Sequence, residues 1–343
     1  MKPFRNRLAL ALVVWGMMAV NAPAQFALPS VLVGDPGNAN SSSGYGAVAD
    51  TYRLGQFEVT LEQYTRFLNS VAADDTYSLY NANMANNVNI AGILRGGSAG
   101  SYTYSVIGSA NRPITYVSWF DAARYVNWLE NGQPIGMQGA STTEAGTYTL
   151  NGATSGVGFN RNANVTYSLP SENEWFKAAY YQPVAKGGPS GTGGYWAYPT
   201  SFSTLPASQN GNATNANSAN FYYNDFLANG YNGGYAVNNS TALPTGSALT
   251  TAGAYTLADS YYGTFDQAGN AAEWTDGIFG TSRVLRGGSW GDANLANSSR
   301  ISSNPAAENQ YFGFRIAIVP EPSVIGCLAL GLTMLVASRR RAC

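Results

Sequence analysis

Apolar positions recur at helical spacing in three places along the chain. In "FEVTLEQYTRFLNSVA", Leu61, Tyr64, Phe67, Leu68 and Val71 fall on one face, with Thr60 ahead of them and Gln63 three residues on. This spacing predicts a capping box opening an amphipathic helix, the threonine hydroxyl accepting from the N3 amide while the glutamine side chain answers the N-cap amide. In "RPITYVSWFDAARYVNWLENG" a short strand leads to Ser118 as N-cap, with Asp121 in the first turn and Gly132 just past the end. In "YSLPSENEWFKAAYY", Ser171 and Glu174 predict another capping box. Between the helices, "GSYTYSVIGS" and "GTYTLNGATSG" alternate with period two between glycines, the pattern of short strands or hairpins.

Residues 187–253 are rich in Gly, Asn, Ser, Thr and Tyr and show little periodicity. Their aromatics, Tyr195, Trp196, Tyr198, Phe202, Phe221, Tyr222 and Tyr223, predict long loops packed on the core rather than a linker. The expected organisation is one loop-rich domain, preceded by a Gly/Ser/Asn-rich lead at 25–49.

The two ends carry a different pattern. Basic "MKPFRNR" runs into apolar "LALALVVWGMMAV" and then "NAPAQ", which predicts a signal peptide over residues 1–24, removed by signal peptidase on export. Its apolar run is short of the roughly 20 residues a spanning helix needs. The other end reads "VPEPSVIGCLALGLTMLVASRRRAC": Pro-Glu-Pro, about fifteen apolar residues, then three arginines, the order of a short tail anchor. Residues 319–343 also resemble the PEP-CTERM sorting signal, which implies an exosortase-type partner and delivery to the cell envelope or beyond.

Composition narrows the chemistry. The 343 residues are 45% hydrophobic and only 11% charged, with net charge −1. Without the six basic residues of the two ends and Glu321, 12 Lys and Arg face 18 Asp and Glu. Nucleic-acid binding, which needs basic patches to displace counterions, is not expected. The chain has no histidine, and its two cysteines, Cys327 and Cys343, both lie in the tail. The body therefore cannot form a disulfide, a Cys/His zinc site, a Ser-His-Asp triad or a Cys-His nucleophile.

Four blocks in order, "EVTLEQYTRFLN", "RPITYVSWFDAARYVNWL", "YSLPSENEWFKAAYY" and "YGTFDQAGNAAEWTDG…RVLRGGSW…GFRIA", resemble the formylglycine-generating enzyme, or sulfatase-modifying factor, family. The resemblance implies a single α+β, loop-rich domain related to C-type lectins, over residues 50–318. Catalytic members hold copper(I) on a cysteine pair shortly after the Gly-Gly-Ser-aromatic motif; the matching positions are Asp292 and Asn297. Hard oxygen and amide groups do not replace soft thiolates for copper(I), and the histidine-bound iron of a related branch has no ligands here. The resemblance also implies calcium, with Glu273 and the carbonyls of Ala268, Gly269 and Ala271 as one candidate set, and Asn220 with the carbonyl of Phe221 starting a second. Asn270 and Glu273 can equally bond backbone in a turn before Trp274.

Ser289, Trp290, Asp292, Asn297 and Arg300 would line the family's groove. Arg286, Arg300 and Arg315 could meet an anionic ligand or clamp carbonyls and carboxylates. Trp119, Trp128, Trp175, Trp274 and Trp290 read as core, Glu172 with Glu174 as helix-cap residues, and Asp74-Asp75 as a solvated helix end. The function expected is an exported, non-catalytic binding or structural module whose partner is an exopolysaccharide or envelope protein. The alternative is an enzyme of the same fold, either formylglycine-generating by family or using other chemistry in that groove.

Overall fold

The computed structural model describes Phe26 and residues 28–211 and 215–319. The predicted signal peptide and nearly all of the sorting segment, Cys327 and Cys343 included, lie outside these residues. Among the described residues no helix is long and apolar enough to cross a membrane.

All three helix starts form as their sequences dictate. Thr60 and Gln63 exchange bonds at 3.3 and 2.9 Å to open α1, Leu61–Val71. A single turn, α2, spans Asn83–Asn86. Ser118 and Asp121 cap α3, Trp119–Glu130, and Ser171 with Glu174 caps α4, Glu172–Tyr180. Replacing Thr60 with alanine removes one acceptor from the α1 terminus and should cost about 1 kcal/mol. A urea midpoint unmoved by Thr60→Ala would show that this cap carries no stability.

Helices α1 and α3 bury their apolar faces against each other. Tyr64 and Phe67 meet Tyr125, Trp128 and Phe314 at ring-centroid distances of 5.3 to 6.5 Å, several of them edge-to-face. Each such ring removes enough apolar area from water to contribute about 1.5–3 kcal/mol.

Two small sheets frame this core. One is antiparallel and runs in the order Ser30–Val33, Tyr52–Gly55, Ala317–Ile318, Tyr167–Ser168, tying the start of the domain to its end. The other runs Ile301–Ser303, Ser282–Arg286, Ala272–Phe279, Phe312–Gly313. Its central hairpin turns through Gly280 at φ 59°, a left-handed conformation that glycine adopts at no steric cost. The pairing sets Glu273 opposite Arg286, so "GNAAEW" and "RVLRGGSW" lie side by side.

Three local expectations are corrected. "GSYTYSVIGS" does supply a strand, Thr103–Val106, paired with Ile93–Gly96, but "GTYTLNGATSG" does not. There the Tyr148 amide donates to the Asn127 side chain at 2.8 Å and the Leu150 amide to the Glu144 carbonyl at 2.8 Å, so neither is free for a ladder. The strand expected in "RPIT" shrinks to one bridge, Thr60 to Pro113, where proline has no N–H to extend it. Asp75 is not a solvated helix end: its carboxylate accepts from the Leu79 and Tyr80 amides at 2.7 and 3.2 Å and closes the next loop.

The described residues of the 187–253 segment pack as loops with a few short strands. Tyr195 lies against Phe176 in one apolar cluster, and Phe221 lies with Leu295 and Ala268 in another.

Candidate functional site

The strand Ser282–Arg286 ends at Gly287 and Gly288, with φ of 96° and 70°. A Cβ on Gly287 would stand 2.9 Å from the Gln267 carbonyl, and one on Gly288 2.9 Å from a Leu295 methyl. Two glycines are needed to turn the chain here, and the turn buries the next two side chains. Ser289 is fully buried, and its hydroxyl donates to Asp292 Oδ2. Trp290 packs on Tyr311 and Tyr235 at 4.9 and 5.7 Å and donates from Nε1 to the Gln310 carbonyl.

The positions that match the copper cysteines are tied into the fold. Asp292 accepts from Ser289 through one carboxylate oxygen and from the Asn294 amide, at 2.8 Å, through the other. Asn297 donates from its side chain to the Trp196 carbonyl at 2.7 Å and from its amide to the Ala197 carbonyl at 2.9 Å. Trp196 and Ala197 belong to the 187–253 loops, as does Tyr235 over Trp290. These loops therefore touch the stretch at Trp290 and Asn297, while Asp292 stays half-buried and Ala293 and Asn294 stay exposed. Two cavities, of about 260 and 370 Å³, open away from it, one beside Phe57 and Ile316 and one beside Ser118 and Glu308.

Arg300 and Arg286 share one carboxylate that the sequence reading assigned to a cap. Glu172 Oε1 accepts from Arg286 Nε and Nη2 at 2.9 and 2.6 Å, and its two oxygens accept from Arg300 at 2.8 and 2.9 Å. Arg286 also donates to the Ser299 carbonyl at 2.5 Å and lies 4.7 Å from the Tyr45 ring centroid; Arg300 lies 4.8 Å from that of Phe279. The hydrogen bond to Glu172 raises the Arg300 guanidinium above its ordinary range. The cap itself needs only Glu174, which accepts from the Ser171 amide at 2.6 Å and pairs with Arg161 at 2.9 Å. That redundancy was the one sequence signal that Glu172 has other work.

The calcium candidates are separated by their partners. Glu273 is fully buried; it accepts from Arg315 Nε and Nη2 at 2.5 and 2.6 Å and from Trp175 Nε1 at 2.6 Å. A carboxylate already filled by a guanidinium and an indole does not fit a calcium ligand set, which needs six to eight oxygens. Asn220 does lie beside Gly269, in a parallel bridge. Its side chain donates to the Ala248 carbonyl at 2.9 Å and to Asn270 Oδ1 at 3.0 Å, leaving Oδ1 as a buried acceptor without a protein partner. The Phe221 carbonyl accepts from Ser208 at 2.6 Å. Among the described residues no three Asp, Glu, His or Cys side chains are grouped to hold a metal ion. Glu273 is therefore not free to join the carbonyls of Ala268, Gly269 and Ala271.

All five candidate core tryptophans are buried. Arg286, Arg300 and Arg315 clamp carboxylates and carbonyls within the fold.

None of the curated proteins matches the chain by sequence. Among solved structures, CarF is 17% identical with a TM-score of 0.49, over 86% of this chain and 99% of that one. Treponema denticola variable protein 1 is 20% identical with a TM-score of 0.45, over 85% and 95% of the two chains. PvdO from Pseudomonas aeruginosa is 16% identical with a TM-score of 0.41, over 85% and 93%. The sulfatase-modifying factor enzyme 1-like domain model matches residues 27–319. With that match spanning most of its length, the chain belongs to the sulfatase-modifying factor enzyme 1-like family.

Proposed function

We propose that this chain is a non-catalytic member of its family, exported and sorted to the cell envelope or extracellular matrix, where it acts as a binding or structural module. The observation that carries this reading is the fate of Asp292 and Asn297. They stand where the copper-binding cysteines of catalytic members would stand, and both are engaged in internal hydrogen bonds, Asp292 with Ser289 and Asn294 and Asn297 with Trp196. A fold by itself supplies no reaction. Export rests on the 1–24 leader, and sorting on the 319–343 segment with signal peptidase and an exosortase-type enzyme as processing partners.

The partner expected is an exopolysaccharide or an envelope protein. Immobilised protein is expected to retain purified extracellular polysaccharide or a specific envelope protein from the producing organism. Uniform failure to retain either class would remove the binding reading.

A further inference from the structure

A second site lies away from the Gly287-Gly288 turn. A cavity of about 370 Å³ opens at the start of α3, lined among others by Tyr77, Ser118, Asp121, Arg124, Thr154 and Glu308. The Trp119 amide donates to the Pro305 carbonyl at 2.9 Å, which holds the Glu308 loop against the helix start. Asp121 is nearly fully buried; its Oδ2 accepts from the Ser118 amide and hydroxyl at 2.8 and 2.6 Å. Glu308 Oε2 accepts from Asn81 at 2.5 Å. Two carboxyls thus share one cavity, each held by neutral donors.

Arg124, on the same wall, is already committed. Its Nε and Nη2 pair with Glu144 at 2.7 and 3.1 Å, Nη2 also donates to the Ala153 carbonyl at 2.9 Å, and its guanidinium lies 4.2 Å from the Tyr77 ring centroid. The remaining nitrogen, Nη1, is buried in a residue with no exposed surface and has no hydrogen-bond partner. A buried donor left unpaired costs free energy, so it points to an acceptor oxygen that the protein does not supply.

Burial and then the neighbouring Glu308 push the Asp121 carboxyl up to about 7, while burial and Asp75 raise Glu308. Burial is the larger cause of both shifts, and among the described residues neither carboxyl forms an ion pair that would supply positive charge. An ammonium would supply that charge and three donors, and a ligand oxygen would satisfy Arg124. The Ser118 and Thr154 hydroxyls and the Tyr77 ring suit a hydroxylated ring with an apolar face.

We propose that this cavity binds an ammonium group carried on a hydroxylated scaffold, that is, an amino sugar. The choice of scaffold rests on the polysaccharide-binding reading above; the ammonium site itself does not.

Calorimetric titration of the purified protein with glucosamine, N-acetylglucosamine and putrescine tests it. Saturable glucosamine binding is expected, with N-acetylglucosamine much weaker. Glu308→Gln, at the half-buried rim and outside the α3 cap, should weaken glucosamine by about tenfold or more while thermal melting stays that of the wild type. Equal affinity for the amino and N-acetyl sugars, or a Glu308→Gln affinity equal to wild type, overturns the site. Glu308-dependent binding of putrescine alone overturns the amino-sugar identity. Glu308-dependent glucosamine binding by a protein that retains no polysaccharide supports the site and rejects the polysaccharide reading, so the two can fail separately.

Discussion

Glu172→Ala should destabilise the domain by about 3–5 kcal/mol, the cost of leaving a buried charge without its partner. The size follows from what would be stranded. Arg286 is about 1% exposed, and its Nε and Nη2 both donate to Glu172 Oε1. The remaining bonds of Arg286 go to the Asn297 and Ser299 carbonyls, which satisfy hydrogen bonding but not charge. Arg300 is a control: its side chain is 21% exposed, so Arg300→Ala leaves Glu172 still paired with Arg286 and should cost only about 1 kcal/mol. Urea denaturation of the two variants checks the ranking. A Glu172→Ala midpoint equal to that of Arg300→Ala would mean that the paired arginines are not what holds the Gly287-Gly288 turn against α4.

Arg315→Met is the second large effect, and its size depends on pH. Arg315 is fully buried, pairs with Glu273, and donates to the Gly55 and Phe265 carbonyls at 3.0 and 2.9 Å. Glu58 and Asp266 lie close enough to act on the same charge. Both oxygens of Glu58 and Oδ1 of Asp266 are buried without a hydrogen-bond partner. Burial, then Asp266 and Glu273, raise the Glu58 carboxyl well above the usual range; burial raises Asp266 to about 6. Without Arg315 these carboxyls lose their one cation, and the loss should reach about 3–5 kcal/mol near pH 8, where more of them are ionised, and be smaller near pH 5.

The wild type carries the same dependence in milder form. A carboxyl whose folded pKa is raised contributes stability that is fully present below its unfolded pKa and is lost as pH rises through the folded value. For Asp266 the interval runs from about 3.9 to about 6 and is worth about 3 kcal/mol. Asp276, raised to about 6 chiefly by burial, and Asp121 act in the same direction. Glu174, held below its usual range chiefly by Arg161 against the opposing effect of burial, acts oppositely, its contribution being lost as pH falls. Stability should therefore decline from pH 5 to pH 8, and Glu58→Gln should flatten that decline. A wild-type stability that rises over the same interval would contradict the assignment of Glu58 and Asp266 as buried, raised carboxyls.

What the sequence disclosed and what it hid divide along a physical line. Helix starts were legible because a capping box is local: Thr60 with Gln63, Ser118 with Asp121 and Ser171 with Glu174 each lie within four residues. The family was legible because its motifs are contiguous. The "GTYTLNGATSG" segment misled because alternation reports which side chains are apolar, not where the amides go; Asn127, 21 residues away, takes the Tyr148 amide. Glu172 was read as a cap because its partners, Arg286 and Arg300, lie 114 and 128 residues on. Glu273 matched a metal ligand by position, while the guanidinium that fills it comes from Arg315, on the segment linking Phe312–Gly313 to Ala317–Ile318. Asp121 was recognised only as a first-turn residue; its place beside Glu308 depends on a contact across 187 residues of chain.

The most direct test of a family fold without the family's copper chemistry is to supply that chemistry with everything it needs. Purified protein is incubated with copper(I), oxygen and a cysteine-containing sulfatase-type peptide, and the peptide is read by mass spectrometry while copper binding is followed by competition with a chelator. No formylglycine and no stoichiometric copper(I) binding are expected, because Asp292 and Asn297 offer hard, already bonded groups where thiolates are required. Formylglycine in the peptide, with one copper(I) bound per chain and lost in Asp292→Ala, would contradict it.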